Sequence, residues 1–113
     1  MKDLGIETMD GALIARAEGR IDASNSPEFE AALLAAIEDR DGPVIIDCAE
    51  LSYISSAGMR AILLIAQILE ERVLPFAVCS LCEEIAELFE ISGFDQVIDT
   101  HGSLKEALAA VVD

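Results

Sequence analysis

Basic residues are scarce in this chain: 7 Lys and Arg stand against 22 Asp and Glu, a formal net charge of −15 over 113 residues. A surface of that sign repels a phosphate backbone and an anionic lipid headgroup alike, so nucleic acid and membrane are poor partners. Histidine is limited to His101, and the cysteines are Cys48, Cys79 and Cys82. Cys79 and Cys82 have CxxC spacing, yet no second pair joins them to supply the four ligands of a structural zinc or the strand-and-helix setting of a redox pair. The plainer reading has Cys79 ending a strand and Cys82 opening a helix. An odd number of cysteines and a Met1-Lys2-Asp3 start without signal-peptide character lead us to expect a reduced, cytoplasmic chain. The apolar tract from Ala57 to Leu69 is thirteen residues long and contains Arg60, too short and too polar to span a bilayer. Neither GxxxxGK[ST] nor G-x-S-x-G occurs, which removes a nucleotide-phosphate cradle and a nucleophile elbow. No cofactor and no metal are expected.

What is present is a well-partitioned globular pattern. Apolar residues make up 53% of the chain and recur in short blocks between polar turns, as one domain over residues 1–113 would require. Leu4 to Met9 and Ala12 to Ala17 are parted by Asp10-Gly11, a pair suited to a hairpin turn with positive φ. Behind Ser26, Pro27 suits the first turn of a helix that puts Phe29, Leu33, Ala36 and Ile37 on one face and ends near Asp41-Gly42. "PVIIDCA" lacks period-two alternation, so a central strand covered on both faces is expected. A second helix follows over the apolar tract. "FAVCS" after Pro75 is another buried strand, and a third helix from about Glu83 groups Ile85, Leu88 and Phe89 and stops at Gly93. "QVIDT" supplies the last strand. Ser103-Leu104-Lys105-Glu106 is a capping box for a final helix with Leu104, Ala107, Leu108 and Val111 inward. Strand and helix alternate in this way in α/β domains.

The start of the second helix, "LSYISSAGMRAIL", is where chemistry can reside. Ser55 or Ser56 can cap the free amides of the first turn, and one cap is all that the helix needs. Gly58 inside that turn costs about 1 kcal/mol relative to alanine, which is consistent with a close backbone approach or with simple packing against the sheet. Arg60, Leu64, Gln67 and Glu71 share the one outward stripe of the helix, so Leu64 is an apolar residue on the solvent side. A phosphoryl group at this terminus would meet exposed amides and the positive end of the helix dipole, leaving the fold intact while its charge repels a docked partner.

These residues resemble the STAS domain, specifically the bacterial anti-sigma factor antagonists, whose signature carries Asp-Ser-Ser/Thr-Gly into a helix. "GRIDASNS" is similar to the family's Gly-Glu-Leu-Asp segment, and "ELFEISGFDQVI" to its Leu-Phe-x-x-x-Gly-Leu tail, so the resemblance spans nearly the whole chain. It implies an α/β fold with a mixed central sheet of about five strands and about four helices. It further implies an anti-sigma factor antagonist that is a substrate rather than an enzyme. The unphosphorylated form would bind an anti-sigma factor or GHKL-type serine kinase, phosphorylation would release it, and a PP2C-type phosphatase would reset it. Carried over by position, the phosphorylated serine is Ser56, with Ser55 as second choice. Asp22, Ser55, Ser56, Gly58, Met59, Arg60 and Leu64 would form the partner surface. Two departures stand out: Ser55 replaces the usual aspartate, and Ala57 replaces the second hydroxyl residue. The loss of that carboxylate keeps open a second reading, a STAS docking subunit of a signalling or lipid-transport assembly that is never phosphorylated. A third reading, Ser56 as nucleophile with His101 as base, finds no local support in the sequence.

Overall fold

The computed structural model describes residues 4–112. Its centre is a five-stranded sheet in the order β1-β2-β3-β4-β5, formed by Gly5–Met9, Ala12–Ile21, Val44–Ile54, Phe76–Cys79 and Asp99–His101. β1 runs antiparallel to β2 and every other neighbouring pair is parallel, so the sheet is mixed. The helices are α1 (Ser26–Ile37), α2 (Ser56–Glu71), α3 (Glu83–Ser92) and α4 (Leu104–Val112).

Local chemistry accounts for these elements. The turn between β1 and β2 has φ of 52° at Asp10 and 84° at Gly11, both left-handed as a type I′ hairpin demands. β3 occupies the middle of the sheet, and its first five residues are buried because side chains cover both of its faces. On one face Phe29, Leu33, Ile62, Ile65 and Phe89 of α1, α2 and α3 meet Val44 and Ile46. On the other, Ala107 and Val111 of α4 meet Ile14, Ile45 and Ala77. α4 opens with the expected cap, the Glu106 amide donating to Ser103 Oγ at 3.1 Å, while Glu106 Oε1 accepts from the Gly102 amide.

Several sequence expectations shift in detail. The central strand continues through "LSYI" to Ile54, and β2 runs past Ala17 to Ile21 by absorbing register shifts around Arg16, Glu18 and Gly19. Helix α1 stops at Ile37, short of the Asp41-Gly42 turn. Leu88, grouped with Ile85 and Phe89 in the sequence, is 41% exposed, whereas Ile85 and Phe89 are buried. "QVIDT" is not one strand. After the left-handed Gly93, residues Phe94–Gln96 form a 3₁₀ turn, and the strand begins only at Asp99. The reason is local: the Gln96, Val97 and Ile98 amides turn back to the carbonyls of Gly93 and Phe94, so they are not available to a sheet neighbour. Phe94 is held there edge-on against Phe89, with ring centroids 5.9 Å apart.

Candidate functional site at the start of α2

β2 and β3 end side by side. The Ser55 amide donates to the Ile21 carbonyl at 2.7 Å, which ties the last residue of β2 to the residue opening α2. Asp22 and Ser56 therefore follow adjacent strand ends. The longer β2, missed in the sequence, is what carries Asp22 to this position.

The loop from Asp22 to Ser26 is built around its own polar groups. Asp22 Oδ1 accepts from the Ser24 hydroxyl at 2.6 Å, from the Ser24 amide at 3.0 Å and from the Asn25 amide at 3.3 Å. The Asp22 amide donates to Asn25 Oδ1, Asn25 Nδ2 donates to the Arg20 carbonyl, and the Ser26 amide donates to the Asp22 carbonyl. These bonds replace water and fix the loop, as Asx turns do. The hydrogen bond from the Ser24 hydroxyl, helped by the Ser24 amide, holds the Asp22 carboxyl below its ordinary pKa, so it is an anion at neutral pH.

The two serines have different surroundings. Ser55 is the N-cap of α2: its backbone is extended, and its Oγ accepts from the Gly58 amide at 3.2 Å. It is half-buried, and its carbonyl also receives the Met59 amide at 2.9 Å. Ser56 is the first helical residue and its side chain is exposed. Ser55→Ala removes the side-chain cap and is expected to cost about 1 kcal/mol, read as a fall of several degrees in Tm by circular dichroism. Ser56→Ala is expected to leave Tm within about a degree, since its hydroxyl carries no cap. Equal Tm values for the two variants would show that the capping bond does not matter.

Of the residues expected to face a partner, Arg60 is exposed and Leu64 is half-buried on the outer stripe. Gly58 and Met59 are not surface. Met59 is 7% exposed within the core, and Gly58 is buried where α2 crosses the ends of β2 and β3, so both support the site from beneath. A feature missed in the sequence lies next to Ile21 and Ile54: the Arg20 guanidinium stands 4.2 Å from the centre of the Tyr53 ring, a cation–π pair near the ends of β2 and β3. Arg20 belongs to "RIDASNSP" and Tyr53 to "LSYISSAG", but only strand pairing, with Arg20 opposite Tyr53, reveals the contact.

Other candidate chemistry disperses. Cys79 ends β4 and Cys82 caps α3, as the plainer reading of CxxC has it. Burial pushes the Cys79 thiol up to about 11 and raises Cys48 as well, so neither is a ready thiolate at neutral pH. Among the described residues no group of three or more His, Cys, Asp or Glu could hold a metal ion. His101 pairs across β4 with the level of Asp47, and β3 runs seven residues further to Ile54, with Ser56 beyond its end. At about 3.3 Å per residue the two are roughly 20 Å apart, too far for a nucleophile and its base. His101 instead contacts Asp99 through Nε2 at 2.8 Å.

Compared with known sequences, residues 4–107 match the family model of the STAS domain. The chain belongs to the STAS domain family. BtrV of Bordetella bronchiseptica, named as a candidate anti-sigma factor antagonist, is 36% identical over 107 residues, covering 95% of this STAS domain and 92% of BtrV. A crystal structure of an anti-sigma factor antagonist from Mycobacterium paratuberculosis superposes with a TM-score of 0.90 at 24% identity, covering 97% of this chain and 93% of that one. The Bacillus cell fate determinant SpoIIAA in its phosphorylated form gives a TM-score of 0.72 at 19% identity, covering 96% and 98%. The five-stranded mixed sheet and four helices are thus the STAS fold. Among the described residues of this STAS domain, no helix is long and apolar enough to cross a membrane.

Proposed function

We propose that this STAS domain is an anti-sigma factor antagonist in a partner-switching cycle. In its unphosphorylated form it binds an anti-sigma factor that is also a serine kinase of the GHKL type; phosphorylation of Ser56 releases it, and a PP2C-type phosphatase restores it. The observation that carries the reading is the division of labour between the two serines, with the Ser55 hydroxyl engaged as the helix cap while Ser56 is exposed at the same terminus. A phosphate on Ser56 would lie among the first-turn amides of α2, where the helix dipole favours an anion. Covalent modification there adds roughly 1.5 to 2 negative charges without displacing a core side chain. Asp22, on the adjacent strand end, presents a carboxylate in a fixed loop to whatever docks over Ser56, and Arg60 and Leu64 extend that surface along α2. The names of BtrV and of the mycobacterial antagonist support the antagonist role.

The chain's contribution to phosphoryl transfer is that of an acceptor. ATP and magnesium belong to the kinase, whose active site supplies the general base for the serine hydroxyl. The Ser55 side chain stands where the family's aspartate is usual, so it brings no second carboxylate to the loop. Co-expression with the kinase is expected to give one phosphorylated species by intact-mass spectrometry, absent from Ser56→Ala and retained in Ser55→Ala. A phosphoform that persists in Ser56→Ala would move the site to Ser55. No phosphoform at all would replace the cycle with a constitutive docking subunit.

A further inference from the structure

Beyond the serine site, the outer edge of the core is open along the second half of α2. Leu63 and Ala66 of α2 face Phe94 of the 3₁₀ turn and Val97 just after it across a groove of about 360 Å³. A further space of about 200 Å³, sharing Ala66, Glu70 and Val97, carries the opening on to Leu74 and Phe76. From Leu63 to Glu70 the helix rises about 10 Å, and the extension makes room for two to three turns of a helix.

The floor is firm: Leu63, Ala66, Leu74, Phe76 and Phe94 are half-buried and pack on the main core, and Phe94 is braced by Phe89. Val97, by contrast, is 65% exposed on the wall, and Ile91 nearby in sequence is 82% exposed. The rim is acidic. Glu70 and Asp99 line the groove and Glu71 lies beside it, while no Lys or Arg lines it among the described residues. Asp99 also holds His101.

We propose that this groove docks a basic amphipathic helix of a partner protein, with aliphatic side chains over Ala66 and Val97 and Lys or Arg flanking them toward Glu70, Glu71 and Asp99. Apolar anchors in a groove with opposite charge at the rim are the recognised physics of helix-in-groove binding. The charge selects this occupant over others. A second copy would bring the same acidic rim, and lipid headgroups or nucleic acid would be repelled. The groove begins seven residues, or about 10 Å, along α2 from Ser56, so its occupant need not cover the serine. It gives the domain a docking point independent of the phosphorylation cycle.

The probe is a 14-residue amphipathic helix of leucine and lysine, titrated into the full chain and followed by 15N-resolved NMR. Shifts confined to residues 63–76 and 92–99 are expected. Val97→Lys is expected to weaken binding about tenfold, as loss of a central anchor does. Glu70→Lys is expected to weaken it severalfold, while the same reversal at the distant, exposed Glu18 changes little. Shifts spread over the acidic surface, with Glu18→Lys as harmful as Glu70→Lys, would reduce the effect to bulk charge and overturn the proposal. So would perturbation centred on residues 55–60, the absence of binding, or concentration-dependent broadening of residues 63–76 without peptide, which would assign the groove to a second copy.

Discussion

Ser56→Asp is expected to weaken binding to the proposed anti-sigma kinase by about tenfold to a hundredfold in isothermal titration, with Tm unchanged within about 2 °C. Ser56 is exposed at the first helical position, and the side-chain cap is supplied by Ser55, so a carboxylate at position 56 removes no hydrogen bond of the fold. It is also placed at the helix end that favours anions, which is worth about 0.3 to 1 kcal/mol to the free protein. A docked partner meets the same charge differently. The fixed Asp22 anion follows the neighbouring strand end, so the partner surface that accepts one acid must now desolvate two. Each factor of ten in affinity corresponds to about 1.4 kcal/mol, within the range of like-charge juxtaposition at an interface. Ser56→Ala should bind like the native protein. Unimpaired binding of Ser56→Asp would rule out a switch by charge at this residue, and a large fall in its Tm would mean that the hydroxyl has a structural role.

Gly58→Ala is expected to lower Tm by several degrees, although alanine is the better helix former. An added Cβ would lie 2.7 Å from Ile54 Cγ1 and 2.8 Å from Ile21 Cγ2, closer than carbon atoms approach one another. Both isoleucines are fully buried against the sheet and have little freedom to yield. Overpacking of this kind costs about 1 to 3 kcal/mol, and the gain in helix propensity returns at most about 1 kcal/mol. With the full propensity gain returned, the upper part of that range leaves a net loss of up to about 2 kcal/mol, readable by thermal or denaturant unfolding. The same residue connects packing to the proposed switch. Pushing α2 away from Ile21 and Ile54 strains the Ser55 amide bond to the Ile21 carbonyl and the Ser55 cap on the Gly58 amide, which together fix where α2 begins next to the end of β2. Slower phosphorylation by the kinase is expected to accompany the lower Tm. A variant as stable as the native protein would show that α2 can lift from the sheet at no cost.

The sequence by itself determined the order of elements, the hairpin at Asp10-Gly11, the central place of "PVIIDCA", the caps at Gly93 and Ser103, and the serine pair as the place to look. Each of these rests on short-range chemistry: positive φ in a turn, a run of β-branched side chains, a hydroxyl three residues before an acid. Tertiary structure decided the rest. "LSYI" belongs to β3 because β2 extends alongside it as far as Ile21, and strand length depends on a partner that lies far away in sequence. Leu88 lies outward while Ile85 and Phe89 of the same helix are buried, and Val97 is exposed where the 3₁₀ turn replaces the expected strand. Leu64 falls on the outer stripe as helical spacing has it, but Met59, placed on the partner surface by the resemblance, sits beneath the site, since only packing fixes how far α2 is rolled against the sheet. Either Ser55 or Ser56 could cap α2 on sequence chemistry alone, and only the family resemblance ranks Ser56 first for phosphorylation. Their roles separate when one backbone amide, that of Ser55, is bonded to Ile21 and fixes where the helix begins.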